Sequence, residues 1–327
     1  MNSVTALAHP NIAFIKYWGN RDDRMVLPAN GSLSMNLDGM LTRTSVAWLE
    51  PPGPAKDSLT INGNPARRAA LERVSAFLDL VRELAGSDRR ATVVSESNFP
   101  EGAGIASSAS AFAALALAAS RAAGLELSEA ALSRLARRGS GSACRSVPGG
   151  FVEWAAGSGD ANSHAFSIAP ASHWDLVDCI AVVSTAHKPT GSSEAHTLAG
   201  TSPLQAARLA DAPRRLDLCR RALLRRDFEA LAEVVELDSN LMHAVIMTSR
   251  PPLFYWEAAT LAVLRAVREA RAKGLPVCYT IDAGPNVHVI AEAASAGQAA
   301  ELLKGIPAVR EVRTARVGGP AQLVEGP

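Results

Sequence analysis

Hydrophobic positions along the chain follow two periods, one of two residues and one close to 3.6, and the changes between them outline the elements. Ile12–Trp18 and Ser32–Leu37 are short strand-like runs, and Arg43–Leu49 alternates as a half-buried strand does. Asp57–Asn62 is a further strand, ended by the turn residues Asn62-Gly63-Asn64-Pro65. From Pro65 to Leu84 the apolar residues Ala69, Val74, Phe77, Leu78, Val81 and Leu84 recur at helical spacing, and Pro65 suits a first turn. Ala91–Ser97 reads as a strand leading into a glycine-containing loop. Helices are predicted over about Ile105–Ala123, stopped by Gly124, and over Ser128–Arg138, where Glu129 places negative charge in the first turn. Phe151–Ala155 and Ala165–Ile168 are strands that close this half.

The pattern restarts near Pro170. Leu176–Ser184 is a buried-strand run, followed by helices at about Pro203–Arg225, Phe228–Met247 and Trp256–Lys273. Val277–Ile281 and Val287–Ala291 are strands flanking the turn Ala283-Gly284-Pro285-Asn286; a helix near Ala294–Leu303 and a strand near Glu311–Val317 follow. Strands with helices grouped between them predict an α+β fold of two lobes, residues 1–172 and 173–327.

Composition narrows the class. With 48% apolar residues and a formal net charge of +1 over 327 residues, the chain is not disordered and carries no excess of positive charge for nucleic acid or an anionic membrane. Four scattered cysteines without a CxxC pair read as reduced thiols of a cytoplasmic protein. No basic region followed by an apolar stretch opens the chain, and Gly104–Leu125 is too polar for a membrane span.

Five segments carry candidate chemistry. Gly102, Ala103, Gly104, Ile105 and Ala106 let a ligand approach the backbone closely, and Ser107 and Ser108 add hydroxyls where a helix begins with unpaired N–H groups. That is an anion site or a tightly packed core helix; no Gly-Lys-Ser/Thr follows, so it is not a Walker A loop. Gly139–Gly150 surrounds Arg145 with glycines and with Ser140 and Ser142; it suits bidentate carboxylate or phosphate contact, or is a flexible loop bearing a solvated arginine. Asp282 ends an apolar strand before Gly284-Pro285, as a base projecting into a cleft or as ordinary turn chemistry. Asn11, Lys16 and Asn20 interrupt a strand-like run, and Lys188 lies in a loop after a buried strand. Only five of 33 basic residues are lysine, and two of those five fall in these last two segments.

Taken together, NIAFIKYWG, LPANGSLSMNL, PEGAGIASSASAFAALA, GSGSACRSVPGGFVEW and IDAGPNVHV resemble the mevalonate diphosphate decarboxylases of the GHMP kinase superfamily. The resemblance runs from residue 9 to 291. It implies an α+β, two-lobed GHMP kinase fold, with an N-terminal lobe like ribosomal protein S5 domain 2 and a ferredoxin-like C-terminal lobe. It further implies ATP, Mg²⁺, a homodimer, and 3-phosphorylation of a 5-phosphorylated mevalonate followed by loss of phosphate and CO₂ to leave an alkene. In those terms Asp282 is the catalytic aspartate, Arg145 holds the substrate carboxylate and keeps Asp282 ionised, and Lys188 approaches the γ-phosphate. Gly102–Ser108 would cradle the ATP phosphates. Asn11, Lys16, Tyr17, Trp18, Asn20, Ser140, Gly141, Ser142 and Arg145 would line the substrate pocket.

The chain departs from the family pattern at three places. KYWGK is KYWGN, so Asn20 replaces a lysine near the 5-phosphate end. His288 replaces the lysine after DAGPNV, and Gly191–His196 departs from SSxxGM. A charge-assisted contact contributes about 1.5–3 kcal/mol, so the missing ammonium points to a monophosphate substrate and isopentenyl phosphate as product, unless Arg21 or Arg24 compensates. A kinase that stops at 3-phosphorylation, or a silent binding protein of this fold, are the alternatives; retention of Arg145, Asp282 and the phosphate loop weighs against both.

Overall fold

The computed structural model describes residues 3–50, 52, 55–99, 107–185 and 191–325. In chain order the first half comprises β1 (Val4–Ala8), β2 (Asn11–Ile15), β3 (Asn20–Asp22), β4 (Leu27–Pro28), β5 (Ser32–Asn36), β6 (Thr42–Trp48), β7 (Ser58–Ile61), β8 (Asn64–Pro65), α1 (Arg68–Ala85), β9 (Ala91–Ser97), α2 (Ser107–Ala122), α3 (Glu129–Gly139), β10 (Phe151–Trp154) and β11 (Ala165–Ala169). The second half comprises β12 (Leu176–Val182), α4 (Ser192–Thr197), α5 (Gln205–Arg225), α6 (Phe228–Met247), α7 (Ala258–Ala272), β13 (Val277–Thr280), β14 (Val287–Glu292), α8 (Ala293–Lys304), β15 (Glu311–Arg316) and β16 (Gln322–Val324). The architecture is α+β.

Three larger sheets organise these elements, in the orders β16-β1-β6-β9-β7-β8, β11-β10-β5-β2 and β13-β14-β12-β15; β3 and β4 form a separate ribbon. Pairing is antiparallel except between β7 and β9. The C-terminal strand β16 returns to the first sheet and pairs with β1. In β6 the inward set is Thr42, Thr44, Val46 and Trp48, the alternation of a strand with one covered face. That face packs on α2, whose run of buried alanines lets helix and sheet approach closely.

The third sheet is buried on both faces. Val177, Cys179, Ala181, Val287 and Val289 pack beneath α7 and α8. The opposite face, with Leu176, Ile180, Val182 and Ile290, shares a core with Ile12, Phe14, Leu33 and Met35 of the second sheet and with α5 and α6. This shared core fixes the ends of β2 and β13 against each other, and the candidate site is built there.

Capping follows local chemistry. The Ser128 hydroxyl accepts from Ala131 N–H at 3.3 Å and starts α3. Gly86, in the left-handed region at φ 59°, closes α1. Pro65 does not open α1: it sits opposite Thr60 in the edge strand β8, where its missing N–H costs no ladder bond, and the helix begins at Arg68.

Candidate active site

Lys16 follows the last residue of β2, and its backbone is held from later in the chain. Its N–H donates to Asp238 Oδ2 at 2.6 Å, and its carbonyl accepts from Arg208 Nη2 at 2.8 Å and Asn30 Nδ2 at 3.0 Å. Asp238 is itself paired with Arg215 Nε at 2.7 Å. So α5 and α6 aim the Lys16 side chain. Its ammonium donates to Asp282 Oδ1 at 2.6 Å, with the lysine side chain 2% and the aspartate 26% exposed. Asp282 lies just beyond β13, where Ile281 N–H is fixed by Ser239 Oγ at 3.0 Å.

Burial works against the Asp282 carboxylate, but Lys16, His288 and Arg145 outweigh it and hold its pKa below the ordinary value. From the sequence, Arg145 was the expected counter-charge; the structure gives that place to Lys16, in direct contact, with Arg145 a weaker contributor. For Lys16, burial outweighs the attraction of Asp282 and Asp238 and pushes the ammonium's pKa down, with Arg145 adding to the effect. The two downward shifts have different causes: burial lowers Lys16, whereas surrounding positive charge, Lys16 first, lowers Asp282.

Arg145 lies in a turn of 3₁₀ helix, Gly141–Ser146, and is 3% exposed, so the segment is neither a flexible loop nor a site for a solvated arginine. Its Nε donates to Ser34 Oγ at 3.0 Å and Asn11 Oδ1 at 3.2 Å, and its Nη1 donates to Ser32 Oγ at 2.6 Å. These partners are neutral, and among the described residues no carboxylate forms an ion pair with it. They orient the planar fork without cancelling its charge, leaving it suited to a bidentate carboxylate. Asn11 completes the frame by donating to Ser146 Oγ at 2.8 Å and to the Ser142 carbonyl at 3.1 Å.

Gly141 is required by close approach, since a Cβ there would lie 2.5 Å from the Tyr17 ring. Tyr17 packs on Trp154 at 4.7 Å between centroids, and its hydroxyl donates to Asn20 Oδ1. Asn20 in turn donates to Asp23 Oδ1 at 2.8 Å, so this rim holds a neutral amide tied to an anion. Trp18 is buried among Ala195, Ala199, Met242, Tyr255 and Ala283, linking the Tyr17 wall to the Asp282 turn. Ser108, in the first turn of α2, meets Ser140 across 3.1 Å between hydroxyls, joining α2 to the Arg145 turn. Ser107 opens α2, which has no acidic residue in its first turn. Gly102, Ala103, Gly104, Ile105, Ala106 and Lys188 lie outside the described residues.

Sequence reasoning missed the supports of this site. Asp238 and His243 are ionisable residues on the buried face of α6, and that mismatch was their only signal. Burial, reinforced by nearby Lys16, pushes the His243 pKa down to about 3, so it stays neutral against the Ile281 carbonyl. His288 is buried in β14 with Nδ1 2.6 Å from Asp178 Oδ2 on the neighbouring strand. Among the described residues no group of three His, Cys, Asp or Glu side chains is placed to hold a metal. Magnesium carried on nucleotide phosphates needs only one or two protein oxygens, which the part-exposed Asp282 and the Ser107 and Ser108 hydroxyls can offer.

Comparison with known proteins agrees with this geometry. The diphosphomevalonate decarboxylase-like N-terminal domain matches residues 8–165, and the mevalonate 5-diphosphate decarboxylase C-terminal domain matches residues 179–322. The chain is 42% identical to diphosphomevalonate decarboxylase mvd1 of Aspergillus fumigatus over 86% of this chain and 75% of that protein. It is 35% identical to the phosphomevalonate decarboxylase of Haloferax volcanii over 98% of both. Among solved structures, the Enterococcus faecalis mevalonate diphosphate decarboxylase is 37% identical with a TM-score of 0.91, covering 99% of each chain. A complex of MDDEF with MVAPP, AMPPCP and magnesium is 37% identical, also covers 99% of each chain, and has a TM-score of 0.92. The fold shared with these structures is the two-lobed GHMP kinase fold. With both domain families matched in order along nearly the whole chain, around a buried lysine–aspartate pair and a framed arginine, this chain belongs to the mevalonate diphosphate decarboxylase family.

Proposed function

We propose that this chain is an ATP-dependent carboxy-lyase that converts a 5-phosphorylated mevalonate to the isopentenyl phosphate or diphosphate, ADP, phosphate and CO₂. The observation that carries this reading is the Lys16–Asp282 pair at 2.6 Å beside a buried Arg145 with only neutral partners. A tertiary hydroxyl is a poor nucleophile and hydroxide a poor leaving group, so phosphoryl transfer from ATP precedes elimination. In a loose phosphoryl-transfer transition state the nucleophile keeps its proton until late, so positioning matters more than base strength. A carboxylate with a lowered pKa suits such a step, in which Asp282 orients the 3-hydroxyl and takes its proton as the new O–P bond forms. Arg145 fixes the substrate carboxylate so that the C–C bond lies in line with the departing phosphate. As the C–O bond breaks, the C–C electron pair becomes the alkene and CO₂ leaves. Lys16 and Lys188 offset the charge of the transferring group, and Gly102–Ser108 hold the ATP phosphates. Magnesium, when bound, neutralises phosphate charge. Asn11, Tyr17, Trp18, Asn20 and Ser140–Ser142 shape the substrate pocket.

A 5-monophosphate is the substrate this rim fits best, because Asn20 is bonded to Tyr17 and Asp23 where a second phosphate would call for a cation. The relatives include enzymes for both substrates, the phosphomevalonate decarboxylase of Haloferax volcanii among them, so the choice rests on the rim. We also infer a cytoplasmic homodimer with lobes at 1–172 and 173–327. Four buried free cysteines support the reducing compartment, and the break between the two matched domains supports the division. Incubation with 5-phospho- or 5-diphosphomevalonate and ATP–Mg²⁺, with ¹⁴CO₂ release and product mass measured, tests the activity. Isopentenyl phosphate as the favoured product is expected. A clear kcat/KM preference for the diphosphate would overturn the monophosphate assignment, and phosphorylation without CO₂ would overturn the decarboxylase.

A further inference from the structure

Residues 16–19 join β2 to β3 outside the ladders, and their polar backbone groups are largely taken by side chains from α4 onward. The Trp18 carbonyl accepts from Gln205 Nε2 at 3.0 Å and Arg208 Nη1 at 3.3 Å, and the Gly19 N–H donates to His196 Nδ1 at 3.0 Å. Gly19 has φ +91°, and a Cβ there would lie 2.8 Å from Gln205 Nε2, so the peptide packs closely against this layer. The His196 ring is stacked on Tyr17 at 4.2 Å and 28° and tilted against Trp18 at 4.4 Å and 36°. One imidazole therefore touches three consecutive residues of the pocket wall. The two departures at Asn20 and His196, 176 residues apart in sequence, both converge on Tyr17, one at its hydroxyl and one on its ring.

We propose that His196 is a positioning residue for substrate binding: its unprotonated Nδ1 fixes the Gly19 peptide while its ring sets the plane of Tyr17 against Gly141. To accept from an amide, Nδ1 must present its lone pair, which places the ring proton on Nε2. Without that acceptor the buried Gly19 N–H is left unpaired in a segment that has no alternative ladder partner, and the Tyr17 wall loses its backing. The inference rests on Tyr17 lining the mevalonate phosphate pocket.

His196→Phe keeps a ring and removes the acceptor, whereas His196→Asn removes the ring and keeps an acceptor near the position of Nδ1. With 5-phosphomevalonate and ATP, His196→Phe is expected to raise KM for the mevalonate phosphate roughly tenfold with KM for ATP unchanged, while the unpaired buried Gly19 N–H also lowers the Tm. His196→Asn is expected to bring KM back toward the wild-type value. His196→Phe at wild-type KM would overturn the proposal, as would equal loss of KM and Tm in both variants, which marks a packing role alone. A wild-type protein inactive on either mevalonate phosphate would overturn the functional reading, and this inference with it.

Discussion

Replacing Lys16 with methionine removes the ammonium while keeping a similar buried stem. At an effective dielectric of 20, two unit charges 4 Å apart attract by about 4 kcal/mol, and this pair is closer, at 2.6 Å. The attraction is set against the cost of burying both groups, and removing one member of such a pair costs about 3–5 kcal/mol because the other is left uncompensated. Asp282 keeps about a quarter of its side chain in contact with solvent, which places the expected loss near the low end, ~3 kcal/mol. The carboxylate has one escape, which is to take up a proton. In the wild type its pKa is depressed, so its contribution to stability is present above the unfolded carboxyl pKa and is lost as pH falls through the folded value. In Lys16→Met the leading counter-charge is gone and burial acts against only His288 and Arg145, so the Asp282 pKa rises. The acid limb of kcat/KM should therefore move to higher pH, and stability should fall least where Asp282 can protonate. Profiles of kcat/KM and Tm from acidic to alkaline pH measure both effects. An unmoved acid limb together with an unchanged Tm would refute the assignment of Lys16 as the group that holds Asp282 ionised.

Two further substitutions test separate links. Asp282→Asn should lower turnover by about 10²–10⁴-fold, the usual worth of a general base, while calorimetric affinity for a non-hydrolysable ATP analogue stays at the wild-type value. Near-normal turnover would remove Asp282 from its role. Gly139→Ala would place a Cβ 2.0 Å from Phe112 Cδ1, at the junction of α3 with the helix carrying Ser108. Overpacking there should cost about 1–3 kcal/mol in denaturant unfolding, and an unchanged midpoint would show that Phe112 yields freely.

Most elements were legible because their periods are unambiguous. Phe228–Met247 and Ala91–Ser97 coincide with α6 and β9, where long amphipathic or alternating runs have one covered face. Pro65 was misplaced because a proline suits both a helix start and an edge strand, and the Asn62-Gly63 turn decides for the hairpin. The short strands β1 and β16 gain their identity only from each other and from β6, a pairing about 320 residues apart that no local pattern encodes. At the site, motif chemistry pointed to Asn11, Lys16, Arg145 and Asp282. Which cation faces which anion depends on how β2 and β13 meet across the shared core, and that is tertiary information. Asp238, Arg208 and Arg215 were hidden for the same reason: each works by holding the backbone or carboxylate of a residue distant in sequence.

The near-neutral net charge of the chain conceals how unevenly charge is arranged beneath the pocket. Arg215 and Asp238 neutralise each other in full burial below Lys16, whereas Arg145, equally buried, is surrounded by two serine hydroxyls and an amide oxygen. Burying a cation without a counter-ion costs several kcal/mol, which hydrogen bonds to neutral groups only partly offset. Replacing Ser32 or Ser34 with a carboxylate would remove that cost and also the reason for an anion to bind. The hydroxyl frame therefore does what an ion pair cannot: it fixes the direction of the guanidinium while leaving its charge for the ligand. Arg145 also joins Lys16 and His288 in keeping Asp282 ionised, whereas Lys16's own pKa is lowered chiefly by its burial.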